Sequence, residues 1–221
     1  AGGDVLFEAG GNITQTAVVT SAGGNLQATS TTGTLSIGQL SADHVSLTAG
    51  VDILDINGEN VLNIRAASLA MVAGGFIGGP DVLNAADANA NAIDIEVGTL
   101  AARSGRGIYL QELAGGGDLV VGDVAGSASV TVNQVRFNST TSPVAVGDPL
   151  GVDLRPLEDL VTSDGPIKLV VRNGSLTIND GLPANGIGVS AGGVQDVLLW
   201  ASGNLTTNPG VTSGGGHVTL Q

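Results

Sequence analysis

Gly2-Gly3-Asp4-Val5-Leu6-Phe7, Gly10-Gly11-Asn12-Ile13-Thr14-Gln15 and Gly23-Gly24-Asn25-Leu26-Gln27-Ala28 repeat one phrase: two glycines, a short polar residue, then apolar side chains at every second position. Alternation with period two places Val5, Phe7, Ile13 and Leu26 on one side of extended chain and Asp4, Glu8 and Gln27 on the other. Looser versions follow at Gly33-Thr34-Leu35-Ser36-Ile37, Asp43-His44-Val45-Ser46-Leu47 and Glu59-Asn60-Val61-Leu62-Asn63-Ile64. Others run to the end, among them Pro166-Ile167-Lys168-Leu169 and Gly203-Asn204-Leu205-Thr206. Turn pairs such as Asn57-Gly58, Asp164-Gly165, Asn173-Gly174 and Asp180-Gly181 punctuate them. The expected inward set is Val5, Phe7, Ile13, Leu26, Leu35, Ile37, Val45 and Leu47.

Regular short strands fit a sandwich, a barrel or a solenoid. Three features favour the solenoid. The residues that close many strands are small (Ala9, Ala49, Ala66, Ala191, Ala201), as tight corners between stacked coils require. Phrases beginning at Gly2, Gly23 and Asp43 lie 21 and 20 residues apart, the spacing of stacked supersecondary units. Aromatic residues make up only 2% of the chain, and a narrow parallel β-helix filled by Val, Ile, Leu and Ala has little room for rings. The reading is an all-β parallel β-helix, a single β-solenoid segment over 1–221, with roughly 11 coils of about 20 residues. At ~4.8 Å per coil such a rod is on the order of 50 Å long.

Two stretches break the rhythm and read as irregular loops, near 78–91 and 138–165; either could be a contact surface. Asn60–Val72 carries the strongest helical pattern, but alternation through Val61, Leu62 and Ile64 fits a strand as well. Leu157–Val161 could form one helical turn.

The 221 residues carry 36 glycines, no cysteine, 7 basic and 20 acidic side chains, for a net charge of −13. No basic stripe exists to displace counterions from nucleic acid, and no apolar run is long enough to insert in a membrane as a helix. Disulfides and thiolate metal sites are excluded. His44 and His217 occupy turn-polar slots otherwise filled by Asp or Asn, where a solvated role is expected. Asp94 and Glu96 have the spacing of a carboxylate pair on one side of a strand, but a surface with 20 carboxylates produces such pairs by chance. Trp200 closes the apolar run Val197-Leu198-Leu199 and could face inward or outward. Asp52, Asp55, Asn57 and Glu59, around a glycine turn, read either as half of a calcium loop or as a solvated turn. No other cofactor is suggested.

Thr99-Leu100-Ala101-Ala102-Arg103, Gly107-Ile108-Tyr109-Leu110-Gln111-Glu112, Gly117-Asp118-Leu119-Val120-Val121-Gly122 and Gly174-Ser175-Leu176-Thr177-Ile178-Asn179-Asp180-Gly181 together carry a resemblance over most of the chain. It is similar to the very large β-strand-repeat surface proteins of Gram-negative bacteria, in the style of filamentous-haemagglutinin-type adhesins. The resemblance implies a right-handed parallel β-helix that is secreted or held at the bacterial cell surface, with an adhesive or scaffolding role. It supplies no catalytic residues.

The expected function is therefore structural and non-catalytic: a segment of an extracellular fibre or giant adhesin that stacks end to end. Its partners would be neighbouring repeats or copies of itself, with host or cell-surface glycans or proteins as further candidates. The pattern at Gly214–Gln221 runs on into that of Ala1–Glu8. The expected stacking interface is accordingly Ala1, Gly2, Gly3, Asp4 and Val5 at one end and His217, Val218, Thr219, Leu220 and Gln221 at the other. Two alternatives are a ligand-binding adhesin module using the 138–165 loop and a β-helix carbohydrate-active enzyme.

Overall fold

A computed structural model describes residues 3–80, 89–124, 130–135, 137–146, 157–182 and 184–221. Among the described residues there is no helix. Twenty-one strands join in one sheet and two more form a separate hairpin. All the pairings within the large sheet are parallel, so the chain winds as a parallel β-helix.

Three faces make up the coil. The first stacks Val5–Ala9, Asn25–Ser30, His44–Ala49, the second half of Ile64–Ala73, the second half of Ile93–Ser104, Leu160–Thr162, Ile187–Ala191 and Gly210–Ser213. The second stacks Ile13–Gln15, Leu35–Ile37, Ile53–Asp55, Phe76–Ile77, Gly107–Glu112, Ile167–Val171, Val197–Ala201 and Val218–Leu220. The third begins with Val19–Thr20, Leu40–Ser41 and the first halves of Ile64–Ala73 and Ile93–Ser104. Leu119–Val121, Leu176–Ile178 and Leu205–Thr207 carry it onward.

Register partners on the second face run Ile13, Leu35, Ile53, Ile77, Ile108, Ile167, Val197, Val218, one aliphatic side chain per coil. From Leu35 to Val197 each of these is at most 1% exposed. Such a column explains the composition. β-branched and leucine side chains stack on their own kind at the inter-strand spacing, and each coil buries its inward face only against its neighbours.

Among the described residues, eight strands stack on each of the first two faces, not the roughly eleven that a uniform coil predicts. The 20-residue period holds for the first coils only. Ala102 faces Leu160, so one coil takes up everything between them. At ~4.8 Å per step, eight coils make a rod on the order of 35 Å long.

The stretch 138–165 is not a single loop. Thr141–Val146 pairs antiparallel with Val130–Val135, and Leu160–Thr162 is a rod strand with Leu160 and Thr162 buried. The excursion starts earlier than the prolines suggested, after Val121. Near its base Val124 bridges Leu157, so no helical turn forms there. The hairpin touches the first coils: the Thr131 N–H donates to Asp4 Oδ2 at 2.8 Å, and Val130 is 1% exposed. Residues 147–156 of this stretch, and 81–88 of the 78–91 stretch, lie outside the described residues. Ile64–Ala73 is a strand, which settles the helix-or-strand ambiguity of Asn60–Val72 in favour of alternation.

Candidate functional site

The glycine-polar-apolar phrase has a structural purpose that spacing alone does not reveal. The polar residue just before a strand accepts a hydrogen bond from the backbone of the next coil. Asp4 Oδ1 accepts the Asn25 N–H at 2.9 Å and Asn12 Oδ1 the Thr34 N–H at 2.9 Å. Asp52 Oδ1 accepts the Phe76 N–H at 2.7 Å, Asp118 Oδ1 the Ser175 N–H at 2.7 Å, and Asp196 Oδ1 the His217 N–H at 2.8 Å. In each case the donor lies one coil further along the chain. These N–H groups sit where the ladder gives way to a turn, so a short side chain with an oxygen acceptor replaces the missing carbonyl. The hydrogen bond from the His217 N–H holds the Asp196 carboxyl below the usual carboxylate range. Asp52→Ala is expected to lower stability by about 1.5–3 kcal/mol, the worth of a hydrogen bond to a charged group, measured by urea unfolding.

At the two ends this ladder and the core columns stop. Val218 and Leu220 occupy column positions whose partners Val197 and Leu199 are 1% and 0% exposed, yet they are 41% and 45% exposed themselves. Val5, Phe7 and Ile13 at the opposite end pack against the core but are only half-buried. Of the expected interface residues, Ala1 and Gly2 lie outside the described residues. Gly3 and Asp4 are engaged from above, through the Ser21 hydroxyl donating to Gly3 O and through both Asp4 oxygens. At the other end Val218, Thr219, Leu220 and Gln221 are exposed, and the His217 ring turns back to Asp196 at 3.2 Å. The two sets therefore stand on opposite ends of the rod, each edged by strands whose outer side has no partner coil among the described residues.

The structure does not bring Asp52, Asp55, Asn57 and Glu59 around one point. Asp52 is committed to the Phe76 N–H. Asp55 accepts the N–H groups of Asn57 and Gly58 at 2.7 and 3.1 Å and the Asn63 amide at 2.6 Å, while Glu59 accepts from Asn60. Among the described residues no three His, Cys, Asp or Glu side chains are grouped to hold a metal ion. His44 is exposed and contacts the Ser68 hydroxyl on the next coil. Trp200 alternates outward from Val197, Leu199 and Ala201 and lies half-buried on the outer side of the second face, in register with Val170.

Sequence reasoning missed the buried polar groups. Asn63 is fully buried; its amide donates to Ile37 O, Gly38 O and Asp55, and its oxygen accepts the Asp94 N–H at 2.8 Å. The Gln111 amide donates to Asp94 Oδ1 at 2.8 Å and to Asn60 Oδ1 at 2.9 Å, and Arg172 donates twice to Gln111 Oε1. Burial pushes Asp94 up to about 6, opposed by the Gln111 hydrogen bond. Glu96, its partner in spacing, is held instead by Arg65. Glu112 continues the inward alternation of Ile108 and Leu110, and burial pushes it up to about 8 against the pull of the Val97 N–H. The signal was present: a carboxylate at an inward position, followed by Gly115-Gly116-Gly117. A Cβ on Gly116 would lie 1.3 Å from Glu112 Oε1. Asp94 and Glu112 are at most 2% exposed, so both high-pKa carboxyls are enclosed by the surrounding coils.

No protein-family model, curated protein or solved structure matches this chain.

Proposed function

We propose that the chain is a non-catalytic structural segment of an extracellular bacterial fibre or giant adhesin, in which coils continue end to end. The observation that carries this reading is the repeating stack itself: one apolar column runs through eight coils of the second face, buried from Leu35 to Val197, and the slot hydrogen bonds recur from coil to coil. Val5, Phe7 and Ile13 in the first coil and Val218 and Leu220 in the last keep the same apolar register as the buried coils between them. A further coil, of the same chain or of a second copy, would cover these side chains and pair the free strand edges. Location at the cell surface rests on the acidic, cysteine-free composition and on the family resemblance.

Electron microscopy and light scattering of the isolated segment test the proposal. The segment is expected to form short end-to-end strings as concentration rises. Val218→Lys with Leu220→Lys should leave the rod folded and reduce it to single particles. Wild-type protein that stays as separate particles at all concentrations would count against stacking.

A second reading, a ligand-binding module in the 138–165 region, is favoured by one observation. Phe137, at the turn of the hairpin beside that stretch, is fully exposed, and the two hairpin strands pair with each other away from the rod's sheet. Phe137→Ala should then weaken binding to cells while leaving end-to-end association unchanged.

A further inference from the structure

Where the first face turns into the second, side chains withdraw. Gly50, Gly74 and Gly105 stack there, and a Cβ on Gly74 or Gly105 would lie 2.3 or 2.0 Å from the carbonyl oxygen of the glycine one coil back. The next coil brings Gly165 against Arg106 O, where a Cβ would sit 0.7 Å away. Bare backbone thus borders an open cleft of about 580 Å³ that runs across four coils, from Phe76 through Arg106 and Asp164 to Gln195. Its length is on the order of 15 Å at ~4.8 Å per coil.

The side chains that do enter the cleft are of particular kinds. The Phe76 and Tyr109 rings stand 6.4 Å apart at 47°. The Arg106 guanidinium lies 5.6 Å above the Phe76 ring, and among the described residues it has no carboxylate partner. Asp164 and the Gln195 amide, 3.5 Å apart, supply an acceptor and a donor on two further coils.

We propose that this cleft binds an uncharged oligosaccharide lying along the rod axis. A guanidinium backed by a ring presents a flat, weakly hydrated plane with in-plane donors. A pyranose matches it by stacking its carbon–hydrogen face and offering neighbouring hydroxyls to the planar side chains. Asp164 and the net charge oppose a polyanion, and Arg106 opposes a polycation. An added peptide strand is disfavoured because the local backbone is already used: the Gly74 and Gly105 N–H groups donate to Ala49 O and Ala73 O. The coil spacing is also close to the length of one sugar residue, so equivalent contacts recur along a chain of sugars. Among the described residues, Asp164 is the single carboxylate lining the cleft. Glycoside hydrolysis uses a pair of carboxylates, so the proposal is one of binding.

The test uses cellohexaose, xylohexaose and chitohexaose as uncharged probes, with hexagalacturonate and a heparin hexasaccharide as charged ones. Calorimetry gives affinity, and amide chemical shifts give location. At least one uncharged probe should bind saturably, with shifts confined to 74–76, 105–109 and 164–166. Arg106→Ala should weaken that binding by about tenfold or more, as loss of a charge-assisted hydrogen bond and a stacking plane implies. Asp164→Ala should weaken it less, and both variants should keep the wild-type circular dichroism, since both side chains are exposed. The proposal is overturned if no uncharged probe shifts those amides, if only the charged probes bind, or if Arg106→Ala leaves affinity intact.

Discussion

Glu112→Gln is expected to flatten the pH dependence of stability between pH 4.5 and about 8. Glu112 is fully buried, and its folded-state pKa, about 8, stands above the ordinary value of 4.5. The folded protein therefore holds this proton over a pH range in which the unfolded chain has lost it. Stability from this group is fully present below pH 4.5, falls as pH rises, and levels off above pH 8. The slope is about 1.4 kcal/mol per pH unit. Asp94 contributes in the same direction, but its titration is largely over above pH 6. Urea unfolding at pH 6.5 and 8 thus isolates Glu112: the wild type should lose roughly 2 kcal/mol across that interval, and the glutamine variant should lose little of it. Equal losses in the two proteins would show that Glu112 is not the buried acid in question.

Gly165→Ala should be the most damaging of the small substitutions. The new Cβ would meet Arg106 O at 0.7 Å, and a backbone oxygen cannot move aside as a side-chain end can. The Asp164 N–H to Gly105 O and Ile108 N–H to Pro166 O hydrogen bonds flank this contact, so separating the coils breaks the ladder on both sides. The expected cost is more than about 4 kcal/mol, in the range reserved for core and backbone disruption. Gly10→Ala is the control. It has open space around its Cβ and should change stability by less than about 0.5 kcal/mol. Comparable unfolding midpoints for the two variants would refute the close approach at Gly165.

Much of the coil was legible because a parallel stack repeats its local chemistry. Leu26, Leu35, Ile37, Val45 and Leu47 are buried as alternation required, and the turn-polar slots of Asp4, Asn12 and Asp52 recur as expected. What alternation could not reveal depends on which coil lies next to which. Gln27 points outward from the core yet is 1% exposed. The hairpin strand Val130–Val135 packs against its strand from about a hundred residues later in the chain, and no period connects the two. The coil number was overestimated for a related reason: a long excursion between Val121 and Leu160 is invisible to a count that assumes constant spacing. The cleft of Phe76, Arg106 and Asp164 draws on residues spread over four coils, and their alignment follows from insertion lengths that no local phrase encodes. Asp52, Asp55 and Glu59 went the other way. They are adjacent in sequence, but backbone N–H groups and side-chain amides claim their oxygens separately.

The hydrogen bonds from Asp4, Asn12, Asp52, Asp118 and Asp196 all run the same way, from a side-chain acceptor to a donor one coil later. The rod therefore has an arrow. Its leading end presents the slot side chain of Asn204, while the His217 ring is turned back to Asp196. Its trailing end offers the N–H groups of Asp4 and Asn12 in search of acceptors. Two leading ends cannot satisfy each other, and neither can two trailing ends. Any fibre assembled from this unit must be polar, with every segment facing the same direction and two tips that differ chemically. A single-coil peptide carrying an Asp in the slot position would blunt one tip and leave the other free to grow.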